Sequence, residues 1–228
     1  MKPTLYLVPA PLGGPAVEAL PAAAAQTVRS LRDFAVENAR SARATLSALG
    51  MPCAMRELSI VEIGTEAAPL LAPLRAGRSL GVLSEAGSPA VADPGAALVA
   101  AAHAEGFRVV PLVGPCALLL ALMASGLEGQ RFAFCGYLPR DQQELAGRIR
   151  ALEKRSRAGR ETQIFIETPY RGDALLAALL EHCQPGTALC VAADLTLPSE
   201  SIATRPVAQW RAAPRAIGRR PAVFLLLA

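Results

Sequence analysis

Four carboxylate residues in this chain each stand at the end of a short apolar run. The runs are FAVE ending at Glu37, GVLSE ending at Glu85, IFIE ending at Glu167 and VAAD ending at Asp194. Apolar runs of this length are typical of buried strands, so each acid is expected where a strand ends. Carboxylates accept hydrogen bonds and offset positive charge, which suits a ligand that carries hydroxyl groups and a cationic centre. The alternative for any one of them is a cap on the following helix, but four in one chain favour a binding function.

Residues 79–126 contain three motifs of small residues at close spacing. Ser84-Glu85-Ala86-Gly87-Ser88-Pro89 follows the apolar run 80–83, Asp93-Pro94-Gly95 opens an alanine-rich helical stretch, and Gly114-Pro115-Cys116-Ala117 follows the apolar run 109–113. Such residues between a strand and a helix let a ligand approach the backbone closely. Because ligands of open α/β sheets bind outside the carboxyl ends of the strands, we interpret this stretch as the floor of a binding cleft. Asp93 has a second interpretation, as an N-cap with Pro94 in the first helical position.

The elements that must position these residues alternate between strand and helix. Strands are predicted over 4–8, 34–36, 57–61, 80–83, 109–113, 132–137, 162–166, 188–193, 200–204 and 221–227. Helices are predicted over 18–31, 41–49 (closed by Gly50), 65–76, 141–158 and 206–212, with another ending near His182. The pattern predicts an α/β fold in two units, the first with parallel-type runs and the second mixed. The predicted domains are residues 1–113 and 114–228.

Composition restricts the class of protein further. The chain has 228 residues, of which 52% are hydrophobic, and no apolar run approaches the roughly 18 residues of a membrane span. The N-terminal apolar run is brief and broken by proline, so we predict no secretory signal and a cytoplasmic protein. The five cysteines are scattered without a C-x-x-C pair and only two histidines accompany them, which argues against a metal site. The better interpretation is that the cysteines are buried apolar thiols.

The basic residues are unevenly distributed, and the formal net charge is +4. One cluster contains Arg148, Arg150, Lys154, Arg155, Arg157 and Arg160, and the other contains Arg205, Arg211, Arg215, Arg219 and Arg220. They are either two solvated surfaces, with Glu144, Glu153 and Glu161 relieving the first, or a footprint for a phosphate backbone.

The central stretch also resembles a known family. SEAGSPAVADPG, followed about twenty residues later by VGPCA, is similar to the tetrapyrrole methylase superfamily of S-adenosylmethionine-dependent methyltransferases. The closest branch 2′-O-methylates ribose in small-subunit ribosomal RNA and reads SDAGTP-x-x-x-DPG and then PGPSA or PGPCA. The resemblance runs along nearly the whole chain. It implies two α/β/α domains with the S-adenosylmethionine cleft between them, and a homodimer.

The resemblance also assigns residues to the cofactor, motif by motif. In the first domain and at its boundary these are Pro9, Ser84, Glu85, Ala86, Gly87, Val91, Asp93, Pro115 and Ala117. In the second they are Glu167, Ala192 or Ala193, and Pro221-Ala222. The acids suit a sulfonium, an ammonium and ribose hydroxyls, which S-adenosylmethionine carries.

A ribose hydroxyl is a poor nucleophile, so a base or an orienting acceptor is expected. The E-D-T-R tetrad of the ribosomal RNA branch is half kept in this chain, as Glu37-Asn38-Ala39-Arg40. Glu37 is the candidate base, and Arg40 is the candidate for holding a phosphate bidentately.

Three departures from the branch affect the substrate side of the prediction. The tetrad is incomplete, Asp194-Leu195-Thr196-Leu197 lacks the lysine of E-L-T-K, and the branch usually carries a longer C-terminal part. Three functions therefore stay open. They are an RNA 2′-O-ribose methyltransferase, a small-molecule methylase acting on a tetrapyrrole, and a non-catalytic protein that binds S-adenosylmethionine. The absence of the G-x-G-P-G loop, in the place of residues 9–15, counts against the second.

Overall fold

The apolar runs of the first half form a five-stranded sheet in the computed structural model, which describes residues 2–213 and 215–228. Its strands are β1 (Thr4–Val8), β2 (Asp33–Val36), β3 (Ser59–Glu62), β4 (Leu80–Leu83) and β5 (Arg108–Pro111). Their order is β3-β2-β4-β1-β5, and every neighbouring pair is parallel. Because all five strands run the same way, the segments that follow them leave the sheet at one edge, where the predicted site residues lie.

Short helices connect these strands. They are α1 (Ala16–Ala19), α2 (Ala22–Ser30), α3 (Ala39–Ala48), α4 (Ala72–Arg75) and α5 (Ala96–Ala104), with 3-10 turns at Met55–Glu57 and Ala68–Leu71. The predicted helix over 18–31 is in fact two helices, because Pro21 interrupts the ladder and stands as the N-cap of α2. The predicted helix over 65–76 is likewise divided, into a 3-10 turn and α4, with a proline in the first turn of each.

Helix α3 begins two residues earlier than predicted because Asn38 caps it. The Asn38 side chain accepts hydrogen bonds from the backbone N–H groups of Arg40 and Ser41 at 2.9 and 3.1 Å. At the other end Gly50 adopts φ +70°, as its predicted role in closing the helix requires.

The second half folds around a mixed sheet, as the pattern predicts. Its strands are β6 (Phe132–Tyr137), β7 (Thr162–Glu167), β8 (Ala188–Ala193), β9 (Ser201–Pro206) and β10 (Ala222–Leu227). The order is β6-β7-β10-β8-β9; β6 and β7 are parallel, and the other pairs are antiparallel. Phe165 of β7 and Phe224 of β10 stack in its core with ring centroids 5.9 Å apart. The chain divides into two compact units, one ending at Cys116 and the other beginning at Ala117; the predicted boundary lies in the same loop, three residues earlier.

The second unit contains α6 (Ala117–Ser125), α7 (Gln142–Gly159), α8 (Gly172–His182) and α9 (Val207–Ala212). Helix α7 buries Leu145, Ile149 and Leu152 and exposes its basic residues, the pattern of an amphipathic helix. Glu153 does not belong to that solvated surface, contrary to the sequence-based interpretation. Its buried carboxylate accepts hydrogen bonds from the backbone of Gln184 and the hydroxyl of Thr187.

The described part of the chain contains no helix with both the length and the apolar content that crossing a bilayer requires.

Candidate functional site

The loops that follow β1, β2 and β4 are joined by hydrogen bonds at the carboxyl edge of the first sheet. The Ala10 N–H donates to the Gly87 carbonyl at 2.8 Å, and the Gly87 N–H returns a bond to the Ala10 carbonyl at 3.0 Å. Glu37 Oε2 accepts the Glu85 N–H at 2.9 Å. These bonds bring Glu37, which follows β2, together with the loop of Ser84–Gly87, which follows β4. The sequence alone placed the two after separate strands.

The loop after β5 reaches the same place through its backbone. The Ser88 hydroxyl donates to the Pro115 carbonyl at 3.2 Å. Gly114 packs so closely against the ring of Pro9 that an added Cβ would lie 2.6 Å from its Cβ and 2.7 Å from its Cγ. No side chain larger than hydrogen fits there, which is the physical reason for glycine in Gly114-Pro115-Cys116-Ala117. Pro9, Gly87 and Pro115, three of the residues that the resemblance assigns to the cofactor, are thus neighbours.

Three carboxylates converge at this edge: Glu37, Glu85 and Asp93. The pKa of Asp93 is raised to about 6, chiefly by burial, then by the negative charge of Glu37 and, to a smaller extent, of Glu85, against a hydrogen bond from Ser84 that lowers it. A carboxylate held among other acids binds protons and cations more readily than one in water. This edge therefore attracts a positively charged ligand or takes up a proton. The described residues place no three His, Cys, Asp or Glu side chains where they would hold a metal ion.

The segment between Ser88 and Gly95 has an unusual backbone. Ala90 and Ala92 both adopt positive φ, 66° and 67°, a conformation that costs a non-glycine residue of order 1–3 kcal/mol. The Ala90 N–H donates to the Pro94 carbonyl at 3.3 Å, which closes the turn around Asp93. Such strain is concentrated at functional sites, and here it flanks Asp93, whose pKa is raised by burial.

Helix capping does not explain these acids. Gly95, and not Asp93, is the N-cap of α5, and Asn38, and not Glu37, is the N-cap of α3. The N-cap position of α8 is Arg171 rather than Glu167. Neither Glu85 nor Asp194 is followed directly by a helix. The capping interpretation is therefore wrong for Asp93 and for each of the four acids that end an apolar run.

Arg40 lies exposed in the first turn of α3, and within the described residues no acid forms an ion pair with it. The side chains of Ala86 and Val91 are also exposed, with Val91 at 42%. An exposed cation and an exposed apolar side chain at the rim of this edge are available to a ligand. Ala117 stands apart from this group because it begins α6 of the second unit.

The second group of predicted residues is assembled by strand register in the second unit. Ala222, at the start of β10, pairs with Glu167 on one side and with Ala193 on the other. The Pro221 carbonyl accepts the Asp194 N–H at 3.1 Å. Residues far apart in sequence thus meet at one end of the sheet. The side chains of Ala192 and Ala193 are fully buried, and Ala193 and Ala222 are part of the hydrophobic core.

Glu167 is a buried carboxylate whose two oxygens differ. Oε1 accepts the Thr168 N–H at 2.8 Å. Oε2 lies 3.3 Å from Nη1 of Arg171 as an ion pair, but no donor within the described chain meets hydrogen-bond geometry with it. Buried carboxylate oxygens are nearly always hydrogen-bonded, so Oε2 is an available acceptor for a ligand donor.

Sequence reasoning missed several residues that organise these loops. Ser88 joins two loops, and its signal was its place in the motif SEAGSP. Asp173 accepts hydrogen bonds from the N–H groups of Ile217 and Gly218, and no local pattern marked it. Tyr170 and Arg219 form a cation–π pair with the guanidinium carbon 5.5 Å from the ring centroid, which only the folded chain reveals.

The chain matches known proteins over most of its length. Residues 4–210 match the family model described as Tetrapyrrole (Corrin/Porphyrin) Methylases. The chain is 36% identical over 207 residues to ribosomal RNA small subunit methyltransferase I of Mesorhizobium japonicum. This alignment covers 90% of this chain and 67% of that protein. The chain is 32% identical over 207 residues to the protein of the same name from Vibrio cholerae, covering 91% and 70%.

Solved structures share the fold at lower identity. Diphthine synthase aligns with a TM-score of 0.69 at 15% identity, covering 99% of this chain and 90% of that one. The methyltransferase CobJ aligns with a TM-score of 0.62 at 19% identity, covering 100% and 94%. These two similarities concern the fold alone.

Proposed function

We propose that this chain, which belongs to the tetrapyrrole (corrin/porphyrin) methylase family and is therefore a methyltransferase, transfers a methyl group from S-adenosylmethionine to a ribose 2′-hydroxyl of small-subunit ribosomal RNA. The observation that carries the proposal is that the loops after β1, β2 and β4 are hydrogen-bonded to one another at the carboxyl edge of the first sheet. There Glu37, the remnant of the ribosomal RNA tetrad, is hydrogen-bonded to the SEAGSP loop. The relatives named ribosomal RNA small subunit methyltransferase I, similar over 90% of this chain, support RNA as the acceptor.

The residues present fit a sulfonium cofactor. Glu85 and Asp93 supply negative charge beside Glu37, and the close contact of Gly114 with Pro9 leaves backbone rather than side chain at the loop surface. We propose Pro9, Ser84, Glu85, Ala86, Gly87, Val91, Asp93 and Pro115 as the cofactor residues of the first unit. From the resemblance we propose a cofactor-binding role also for Ala117, Glu167, Ala192, Ala193, Pro221 and Ala222. The available Oε2 of Glu167 supports this role.

The protein itself must align the methyl donor with the ribose hydroxyl and remove one proton from that hydroxyl. Bound S-adenosylmethionine supplies the electrophilic methyl group. Glu37 Oε2 is occupied by the Glu85 N–H, which orients the carboxylate and leaves Oε1 as the proposed proton acceptor for the ribose hydroxyl. Arg40, exposed one turn away, is proposed to hold the adjoining phosphate.

Two measurements on one variant test this assignment. In Glu37→Gln the amide oxygen still accepts the Glu85 N–H, but the group no longer takes up a proton. We expect unchanged binding of S-adenosylmethionine by titration calorimetry and a loss of labelled-methyl transfer of about 10²- to 10⁴-fold. The matched control is Glu62→Gln, because Glu62 also accepts a backbone N–H, that of Ala39 at 2.8 Å, but has no proposed catalytic role.

The outcomes separate the proposals. Retained transfer in Glu37→Gln refutes Glu37 as the base. Calorimetry that detects no binding of S-adenosylmethionine by the unmodified protein refutes the proposed cofactor. Transfer to a tetrapyrrole but not to unmodified small-subunit RNA replaces the acceptor, and binding of S-adenosylmethionine without transfer to either compound refutes both acceptors.

We also propose a cytoplasmic homodimer, from the resemblance. In the second unit, α6 exposes Leu119 at 49% and Met123 at 80%, and large exposed apolar side chains of this kind are common at interfaces. Light scattering of the purified protein tests the proposal, and a monomeric mass at micromolar concentration contradicts it.

A further inference from the structure

Tyr170 is an exposed aromatic residue at the same end of the second unit as Glu167. It lies in the loop between β7 and α8 with 80% of its surface exposed, in a chain whose aromatic content is only 4%. The guanidinium carbon of Arg219 lies 5.5 Å from the centre of its ring. The ring contributes little to the core, so its exposure needs another explanation.

The loop that carries Arg219 is held in place by helix α8. Asp173, in the first turn of α8, accepts hydrogen bonds from the N–H groups of Ile217 at 2.6 Å and Gly218 at 3.3 Å. Gly218 has φ +68°, a conformation that a glycine adopts without strain. Tyr170 lies just before α8, and Asp173 lies in its first turn. The hydrogen bonds from Ile217 and Gly218 to Asp173 therefore also hold Arg219 in position relative to the Tyr170 ring. The pair is therefore preorganised.

Arg219 also differs from its basic neighbours in how its charge is balanced. Arg171 lies 3.3 Å from Glu167, and Arg220 lies 3.9 Å from Asp194. For Arg219 and Arg215 no carboxylate of the described chain lies within ion-pair distance. The exposed positive charge of Arg219 beside the exposed ring of Tyr170 forms a surface that accepts a phosphate and a planar group together.

We propose that Tyr170, with Arg219 over its ring, is a stacking platform for an unpaired nucleobase of the RNA substrate, and that Arg219 holds a neighbouring phosphate; this rests on the proposed function. Proteins that bind single-stranded RNA stack its bases on aromatic rings and on guanidinium planes. Stacking accepts any base, so the platform contributes affinity and leaves base identity to other contacts. It lies in the loop that directly follows Glu167, a residue that the resemblance assigns to the cofactor.

The test measures binding of a fluorescein-labelled single-stranded RNA of about 15 nucleotides by fluorescence anisotropy. Tyr170→Leu removes the ring and keeps apolar volume, and we expect a Kd about 5- to 100-fold weaker. Tyr170→Phe keeps the ring and should stay within about 2-fold of the unmodified protein. The matched control is Phe132→Leu, because Phe132 is 43% exposed but lies at the amino end of β6, the opposite end of the same sheet.

Salt dependence separates the ring from the charge. In Arg219→Gln the slope of log K against log salt should fall by about 0.7, the value for one phosphate contact on a single strand. In Tyr170→Leu the slope should stay unchanged, because no charge is removed.

The inference is overturned if Tyr170→Leu does not weaken RNA binding, or if Phe132→Leu weakens it equally. The proposed function stays intact in both cases, provided that the unmodified protein transfers methyl groups to RNA. An unmodified protein that neither binds the RNA nor methylates small-subunit RNA overturns the proposed function first. Weakening by Tyr170→Leu with rescue by Tyr170→Phe supports the platform.

Discussion

Replacing Asp93 by asparagine is expected to stabilise the folded protein at neutral and alkaline pH while impairing methyl transfer. Burial and the charges of Glu37 and Glu85 raise the pKa of Asp93 from 3.8 to about 6. The ionised carboxylate is therefore less favourable in the folded chain than in the unfolded one. Asparagine has nearly the same shape and carries no charge, so the variant relieves this cost. Loss of function with gain of stability is typical of residues kept for binding or catalysis.

The direction with pH follows from proton binding. The unfolded Asp93 carboxyl loses its proton near pH 3.8, and the folded one loses it near pH 6. Between these values the folded chain binds more protons than the unfolded chain, so stability falls as the pH rises, and the full cost is present above pH 6. A shift of this size corresponds to about 3 kcal/mol at 1.36 kcal/mol per pKa unit. Because Asp93 is only partly buried, solvent screening reduces the expected gain in Asp93→Asn to about 1–2 kcal/mol.

Urea denaturation of both proteins measures the effect directly. At about pH 8 the midpoint of Asp93→Asn should be higher than that of the unmodified protein, and at about pH 4 the difference should nearly vanish. The control is Glu66→Gln, an exposed carboxylate whose removal should change neither value. An equal gain at both pH values would show that the stabilisation does not come from the ionised carboxylate of Asp93. Destabilisation at pH 8 would show that this ionised carboxylate is not unfavourable in the folded protein. Either result refutes the reasoning.

Two further substitutions test the local structure around the same edge. Gly114→Ala should destabilise the protein by about 1–3 kcal/mol, because the new methyl group overlaps the rigid ring of Pro9. Gly64→Ala is its control in urea denaturation, since an added Cβ at Gly64 has no atom within 4 Å, and equal effects contradict the explanation. Asn38→Ala should cost about 1 kcal/mol through loss of the α3 cap, whereas Asn38→Asp should keep the cap. Circular dichroism during thermal unfolding measures this, and an unstable aspartate variant would argue against the cap.

The candidate site could be predicted in its parts but not in its connections. The acids at Glu37, Glu85 and Glu167 were visible because each follows an apolar run, and the motif glycines were visible because small residues between a strand and a helix let a ligand approach the backbone. The bond between Glu37 and the Glu85 N–H, 48 residues apart, depends on β4 lying beside β2. No local pattern encodes strand order, so this bond appeared only in the structure.

Local patterns were enough to predict an α/β fold in two units with carboxylates at strand ends, because apolar periodicity and strand length are local properties of the chain. The prediction of continuous helices over 18–31 and 65–76 passed over the prolines at which the structure divides them. The tertiary structure alone decided that these acids do not cap helices, that Gly114 packs on Pro9, and that Tyr170 meets Arg219. Each of these depends on which loops meet at a sheet edge, and that is set by strand order and register, which arise only when distant segments pack together.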